Sequence, residues 1–193
     1  GGIDYLVLNA GLSMWAPFDK IQDISLFERL IAVNYLGAVH CTHAALPSLR
    51  QRKGLIVAVS SIQGRVGVPL HSGYGAAKHA LEGFFASLRT ELEGTGVEVL
   101  MVLPHWLAGT ELRASALGPD GAPMAGARRS HSRDAVPVAE AASAVVRAMQ
   151  SRRRELIIPG KLRVLFLLQA LFPGLARWLI RRKMSQQHAS GES

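Results

Sequence analysis

Tyr74 and Lys78 stand four positions apart in Tyr-Gly-Ala-Ala-Lys, at the start of an apolar stretch that reads as helix. On a helix, that interval places both side chains on one face. A phenol beside a fixed ammonium suits proton transfer, because the positive charge favours phenolate and lowers a pKa that is otherwise about 10. Ser61 closes the apolar run Leu55-Ile-Val-Ala-Val-Ser-Ser61, and Asn34 completes a set of four polar residues. A tyrosine acid/base, a lysine that tunes it and a serine donor suffice for proton transfer at a carbonyl or alcohol.

These residues need a scaffold that brings them together. The runs at 3–8 and 55–60 are continuously apolar, as expected for parallel strands covered on both faces. The carboxyl ends of such strands are where an open α/β sheet binds ligands, and Ser61 falls at one of them. Ser25-Leu-Phe-Glu28 has capping-box form and opens a helix running through Asn34 to about Arg50. A second helix spans 72–93 and stops at Gly94 and Gly96. A strand over 97–103, an Ala-rich helix over 138–151 after Pro137 and a short strand over 155–158 complete an alternating pattern. That pattern predicts an α/β fold with a parallel sheet.

On these residues the chain resembles the short-chain dehydrogenase/reductase family. Asn34 to Ser61 is 27 positions and Ser61 to Tyr74 is 13, both matching the family's spacing, and Asn9-Ala10-Gly11 follows the strand Tyr5-Leu-Val-Leu8. Ser60 competes with Ser61, and the 13-residue interval favours Ser61. The resemblance covers about residues 1 to 160 and implies a Rossmann-like, doubly wound parallel sheet. It implies hydride transfer between NADP or NAD, with NADP favoured, and a carbonyl/alcohol pair. Tyr74 then serves as general acid/base, and Ser61 polarises the substrate oxygen. Lys78 depresses the tyrosine pKa and binds the nicotinamide ribose, while Asn34 holds a water leading from Lys78 to solvent. Asn9, Ala10 and Gly11 lie on the adenosine side, and Leu107 and Thr110 near the carboxamide. His105 stands where the family has glycine after Pro104, and Thr110 comes one position late. Trp106 adds an apolar wall for substrate.

No G-x-G-x-x-G or T-G-x-x-x-G-x-G motif occurs. The expectation is a C-terminal part of a longer enzyme, beginning near the fourth strand of the full fold and lacking its nucleotide-binding strands. A non-catalytic fragment or pseudoenzyme, acting as a binding or peripheral membrane module, is the alternative.

The sequence holds 193 residues, 49% hydrophobic and 19% charged, enough for one domain with a core. Its formal charge of +8 is uneven: residues 1–100 carry 8 basic and 8 acidic side chains, leaving 14 and 6 for the remainder. Charge alone permits nucleic-acid binding, but no matching motif accompanies the arginine clusters, so no nucleic-acid partner is expected. Cys41 is the single cysteine, which points to a reducing compartment, cytoplasmic or at a membrane facing one. His40-Cys41-Thr42-His43 lacks the four ligands of structural zinc and reads as a packed helix with a buried cysteine, so no metal is expected.

The organisation expected is a partial catalytic domain over 1–160, a helical segment over 161–184 and a disordered tail over 185–193. Residues 113–133 form a substrate lid by resemblance, or else a mobile surface loop. Within 162–183, Val164–Phe172 is nearly all apolar but is broken by Pro173-Gly174, well short of the roughly 20 residues needed to cross a bilayer. Leu175, Trp178 and Leu179 oppose Arg177, Arg181 and Arg182, as in a helix lying in a membrane interface. Docking on the same chain or on a second subunit is the other reading. The apolar terminal element is more like hydroxysteroid-dehydrogenase-like members, implying a lipophilic alcohol or ketone. The first strand, left with an unpaired edge, predicts homo-oligomer contacts.

Overall fold

The computed structural model describes residues 1–112, 114–124 and 135–189, with side chains as far as 182. Four apolar runs form one parallel sheet: β1 (Tyr5–Leu8), β2 (Leu55–Val59), β3 (Glu98–Pro104) and β6 (Glu155–Ile158), in the order β1-β2-β3-β6. A separate two-stranded pair joins β4 (Leu107–Ala108) to β5 (Val136–Pro137). Register across the sheet sets Val7 beside Val57 and Val57 beside Leu100.

The pleat divides the strands between two cores. Ile56, Ala58, Val99, Met101 and Leu103 face Leu49 of α2 (Gly37–Arg52) and Leu81 and Phe85 of α3 (Ser72–Glu91). Leu55, Val57, Leu100 and Val102 face Ala141 and Ala148 of α4 (Val138–Gln150) on the opposite side. Layers on both faces explain why β2 and β3 read as unbroken apolar runs. A third core joins Met14, Leu30 and Tyr74, fastening α1 (Ser25–Ile31) to the start of α3.

Several expectations need correction. β1 is not covered on both faces: Tyr5 and Val7 are about half exposed, at 50% and 51%, on an edge strand. The Ser25–Glu28 capping box does not form. Asp23 instead accepts from the Ser25 amide at 2.9 Å and from its hydroxyl at 2.5 Å, so the aspartate two residues upstream satisfies the first turn. Cys41 is exposed rather than buried, because α2 turns Ala38, Thr42, Ala45 and Leu49 inward and leaves position 41 outside. The tail is not wholly disordered, since the last helix, α6 (Pro173–Ala189), takes in 185–189. Residues 113 and 125–133 of the expected lid lie outside the described residues. Its 114–124 part is anchored, with Leu117 exchanging backbone bonds with Ser13 (2.9 Å) and Trp15 (2.8 Å).

The helix expected from 25 to 50 runs to Arg52 but changes pitch at Ala32–Leu36, a π-helical turn between α1 and α2. α3 ends at Glu91, ahead of Gly94 and Gly96, both at positive φ. Beyond β6, α5 (Arg163–Leu171) and α6 fold back against the domain, with Leu162 and Phe166 packed on the α2/α3 core and Ala176 fully buried.

Candidate active site

Ser61 begins where β2 ends, with extended backbone at φ −160°, and its Oγ accepts from the Gln63 amide at 3.2 Å. That bond fixes the hydroxyl at the strand's carboxyl end and leads the chain into a short turn at Ile62–Gly64. Tyr74 lies in the first turn of α3 and Lys78 one turn further on, so helical spacing brings both to the same inward face. All three side chains are buried.

Close packing sets this end of α3. A Cβ built on Gly73 would lie 2.8 Å from Leu30, 3.0 Å from Phe27 and 3.1 Å from the Met14 sulfur. Only glycine lets α3 approach α1 this closely beside Tyr74.

Burial pushes the Tyr74 hydroxyl up to about 12, and its hydrogen bond with Ser61 opposes that shift. Burial also drops Lys78 to about 8, opposed by the nearby Glu82 carboxylate. The expected depression of the tyrosine is therefore absent from this geometry. Burial of the phenol outweighs the nearby ammonium, whose Nζ donates to the Val59 carbonyl at 2.9 Å and stands 5.7 Å from the Tyr74 ring centroid.

Asn34 sits in the π-helical turn, and its side chain is committed to backbone. Nδ2 donates to the Leu12 and Leu30 carbonyls at 2.8 and 2.9 Å, and Oδ1 accepts from the Leu12 amide at 3.1 Å. Both amide protons are thus used inside the fold. The asparagine pins the chain just after Gly11, where an added Cβ would come within 3.3 Å of Oδ1. π turns recur where a helix must redirect a side chain at a functional site.

A cavity of about 660 Å³ opens at the carboxyl ends of the sheet strands. Ser61, Tyr74 and Lys78 line it together with Asn9, Ala10 and Gly11, which follow β1. Trp106, Leu107 and Thr110, which follow β3, line it as well. Asn34 alone among the sequence-derived residues stands behind the wall. His105 is held by its amide on the Ile158 carbonyl at 2.8 Å and joins the lining.

Comparisons with known proteins give the family of the chain. Residues 1–118 match the family model described as short chain dehydrogenase. The chain belongs to the short-chain dehydrogenase family. Over 196 residues it is 32% identical to dehydrogenase/reductase SDR family member 7B of Bos taurus, covering 100% of this chain and 59% of that protein. It is 37% identical over 183 residues to a hydroxysteroid 11-beta-dehydrogenase 1-like protein of Xenopus tropicalis, covering 94% and 60%. Among solved structures, a short chain dehydrogenase of Burkholderia cenocepacia in complex with NADP superposes with a TM-score of 0.77 at 25% identity, covering 92% of this chain and 68% of that one. The chain thus spans about three fifths of the length of these two curated relatives.

Sequence reading missed part of the wall. Trp15 and His71 line the cavity and meet edge to face at 4.8 Å. Leu162 and Leu165, before and within α5, and Leu179 and Ile180 of α6 close another side. Nothing local marks these positions, because only the fold-back of the terminal helices brings them to the site. Arg65 was also passed over: it bridges Glu82 at 2.9 Å and Glu155 at 2.5 Å and lies over the Phe166 ring at 5.2 Å. It ties α3, β6 and α5 together behind Lys78. Among the described residues no His, Cys, Asp and Glu cluster could hold a metal.

Proposed function

We propose that the protein carrying this chain is a nicotinamide-dependent oxidoreductase acting on a lipophilic alcohol or ketone. The observation that carries the reading is the convergence of Tyr74, Ser61 and Lys78 in one buried wall of a cavity that is otherwise largely apolar.

The cavity suits the nicotinamide end of NADP or NAD. The buried Ser60 hydroxyl in the wall has no partner, and Thr110 adds a second hydroxyl. Lys78 would hold the ribose, Asn9–Gly11 the adenosine side, and Leu107 and Thr110 the carboxamide. When bound, the cofactor supplies or accepts the hydride. The similar Burkholderia enzyme holds NADP, which favours the phosphorylated form here.

A carbonyl carbon that gains a hydride leaves negative charge on its oxygen. Tyr74 gives its proton to that oxygen, and Ser61 stabilises the developing charge with a hydrogen bond. In the alcohol direction the same proton returns to a tyrosinate. A hydroxyl held near pKa 12 is fully protonated at neutral pH, the state carbonyl reduction requires. Val66, Val68 and Trp106 provide the apolar surface for the rest of the substrate. Transfer of label from deuterated NADPH to the alcohol carbon of a hydrophobic ketone tests the reading, and an unlabelled product refutes it.

A second observation supports a peripheral membrane contact through 162–183. Val164, Leu167, Leu171, Phe172, Leu175 and Trp178 form a large exposed apolar group on α5 and α6. Arg182 folds over the Trp178 ring at 5.3 Å instead of opposing it, so guanidinium and indole share one edge. That pairing matches an anionic bilayer surface, with the indole at headgroup depth and arginines toward phosphate. No described helix is long and apolar enough to cross a membrane.

A further inference from the structure

Glu82 is a buried carboxylate with no part in the proton transfer between Tyr74 and substrate. It stands four positions beyond Lys78 on α3, as Lys78 stands four beyond Tyr74, so the three side chains follow one face of the helix. Its side chain is only 13% exposed. Arg65 meets Oε2 twice, with Nε at 3.0 Å and Nη2 at 2.9 Å, while Oε1 is buried with no hydrogen-bond partner. Packing holds the carboxylate there. A Cβ on Gly64 would come within 2.9 Å of Glu82 Cγ and 3.0 Å of the Lys78 carbonyl oxygen, so the turn after Ser61 presses on the α3 turn that joins the two residues. Arg65, next in the chain, is itself fixed by Glu155 of β6 and by the Phe166 ring of α5.

A carboxylate with one bare buried oxygen sets up a negative field, and its surroundings decide what that field acts on. Lys78 Nζ donates to the Val59 carbonyl, so Glu82 reaches it as charge and not as a hydrogen-bond partner. Tyr74 lies on the same helix with the His71 ring beside it, and Arg65 comes from the turn after Ser61. Behind Arg65 stands Glu155 of β6, with Arg89 of α3 bonded to the Arg154 carbonyl. Of these groups, Glu82 is the one whose charge opposes the burial of Lys78.

We propose that Glu82 is a positioning residue for the reaction: its carboxylate, clamped by Arg65, keeps Lys78 as the ammonium that holds the cofactor ribose beside Tyr74. The ribose role rests on the oxidoreductase reading of the same site, which the inference deepens. The coupling of carboxylate to ammonium belongs to this chain whatever it binds. A neutral amine would lose the charge that strengthens a hydrogen bond to a ribose hydroxyl.

Carbon-13 NMR of lysine reads the coupling without cofactor or turnover. In the protein that carries this chain, the Lys78 Cε signal, assigned by its loss in Lys78→Met, should titrate at a pH of about 8. Glu82→Gln should move that midpoint down by about one unit, the field of one charge a helical turn away in a partly buried site. The direction discriminates, because a merely structural loss would admit water and raise the midpoint toward 10.5. Glu82→Asp should recover much of the shift, and Glu91→Gln, at the far end of α3, should leave the midpoint in place. NADPH affinity followed over the same pH range should fall off about one unit earlier in Glu82→Gln than in the parent. An unmoved or raised midpoint in Glu82→Gln overturns the proposal, and so does an equal fall in Glu91→Gln. A midpoint that falls while NADPH affinity ignores it upholds the coupling and overturns only the ribose role of Lys78.

Discussion

The Lys78 ammonium is tied to the Val59 carbonyl by a 2.9 Å hydrogen bond, so the strand that leads into Ser61 also sets the lysine's position beside Tyr74. Two titratable groups are thus buried side by side with pKa values moved in opposite senses, Lys78 down and Tyr74 up, both chiefly by burial.

Stability should follow these shifts at high pH. Lys78 falls from 10.5 to about 8 on folding, so between those values the unfolded chain binds more protons and stability rises with pH. Tyr74 rises from 10.0 to about 12, so in that interval the folded chain binds more protons and stability falls. Urea unfolding of Lys78→Met across pH 8 to 10 should lack the rise seen in the parent chain. An identical slope in both would mean that Lys78 is not desolvated.

Asn34→Ala removes three hydrogen bonds and leaves the Leu12 amide and carbonyl and the Leu30 carbonyl without that partner. A loss of about 2 kcal/mol is expected. Faster amide exchange at Gly11–Leu12 should accompany it. Unchanged exchange there would show that the asparagine does not hold this loop.

Gly73 and Gly83 share α3 but should respond oppositely to alanine. At Gly83 an added Cβ meets nothing within 4 Å, so Gly83→Ala gains up to about 1 kcal/mol of helix propensity. At Gly73 the same methyl meets buried Leu30 and Met14, and overpacking of about 1–3 kcal/mol outweighs that gain. Thermal midpoints should move up for the first and down for the second.

Binding to anionic vesicles should depend on the exposed edge of α6. Each basic side chain near such a surface contributes about 1 kcal/mol, so added salt should weaken binding. Trp178→Ala should reduce co-sedimentation with vesicles containing phosphatidylserine, and neutral vesicles should bind less. Equal sedimentation of parent and variant in every condition would remove the membrane reading.

The residues that converge on the cavity were legible because their spacing is local or strand-anchored. Tyr74 and Lys78 share a helix turn, and Ser61 ends a strand whose apolar run is unmistakable. Asn9–Gly11, which also line the cavity, follow another such run. The π turn at Asn34 was invisible, since Ala32–Leu36 has the composition of ordinary helix and only the pull of the Leu12 loop shows why the pitch changes. Cys41 was misjudged because residue type suggested burial while the face of α2 decided exposure. The walls supplied by Leu162, Leu165, Leu179 and Ile180 depend on where two terminal helices dock, which no short-range pattern encodes. The direction of the Tyr74 shift was misread for a similar reason: spacing puts an ammonium nearby but does not reveal how completely the phenol is buried.

Proton transfer by Tyr74 is the central claim, and Tyr74→Phe tests it most directly in the protein that carries this chain. The phenyl ring preserves packing against Met14 and Leu30 but has no proton to give. Ketone reduction should fall about a hundredfold to ten-thousandfold, with NADPH affinity within a few-fold of the parent. Turnover undiminished by Tyr74→Phe, at equal NADPH occupancy, would contradict the account.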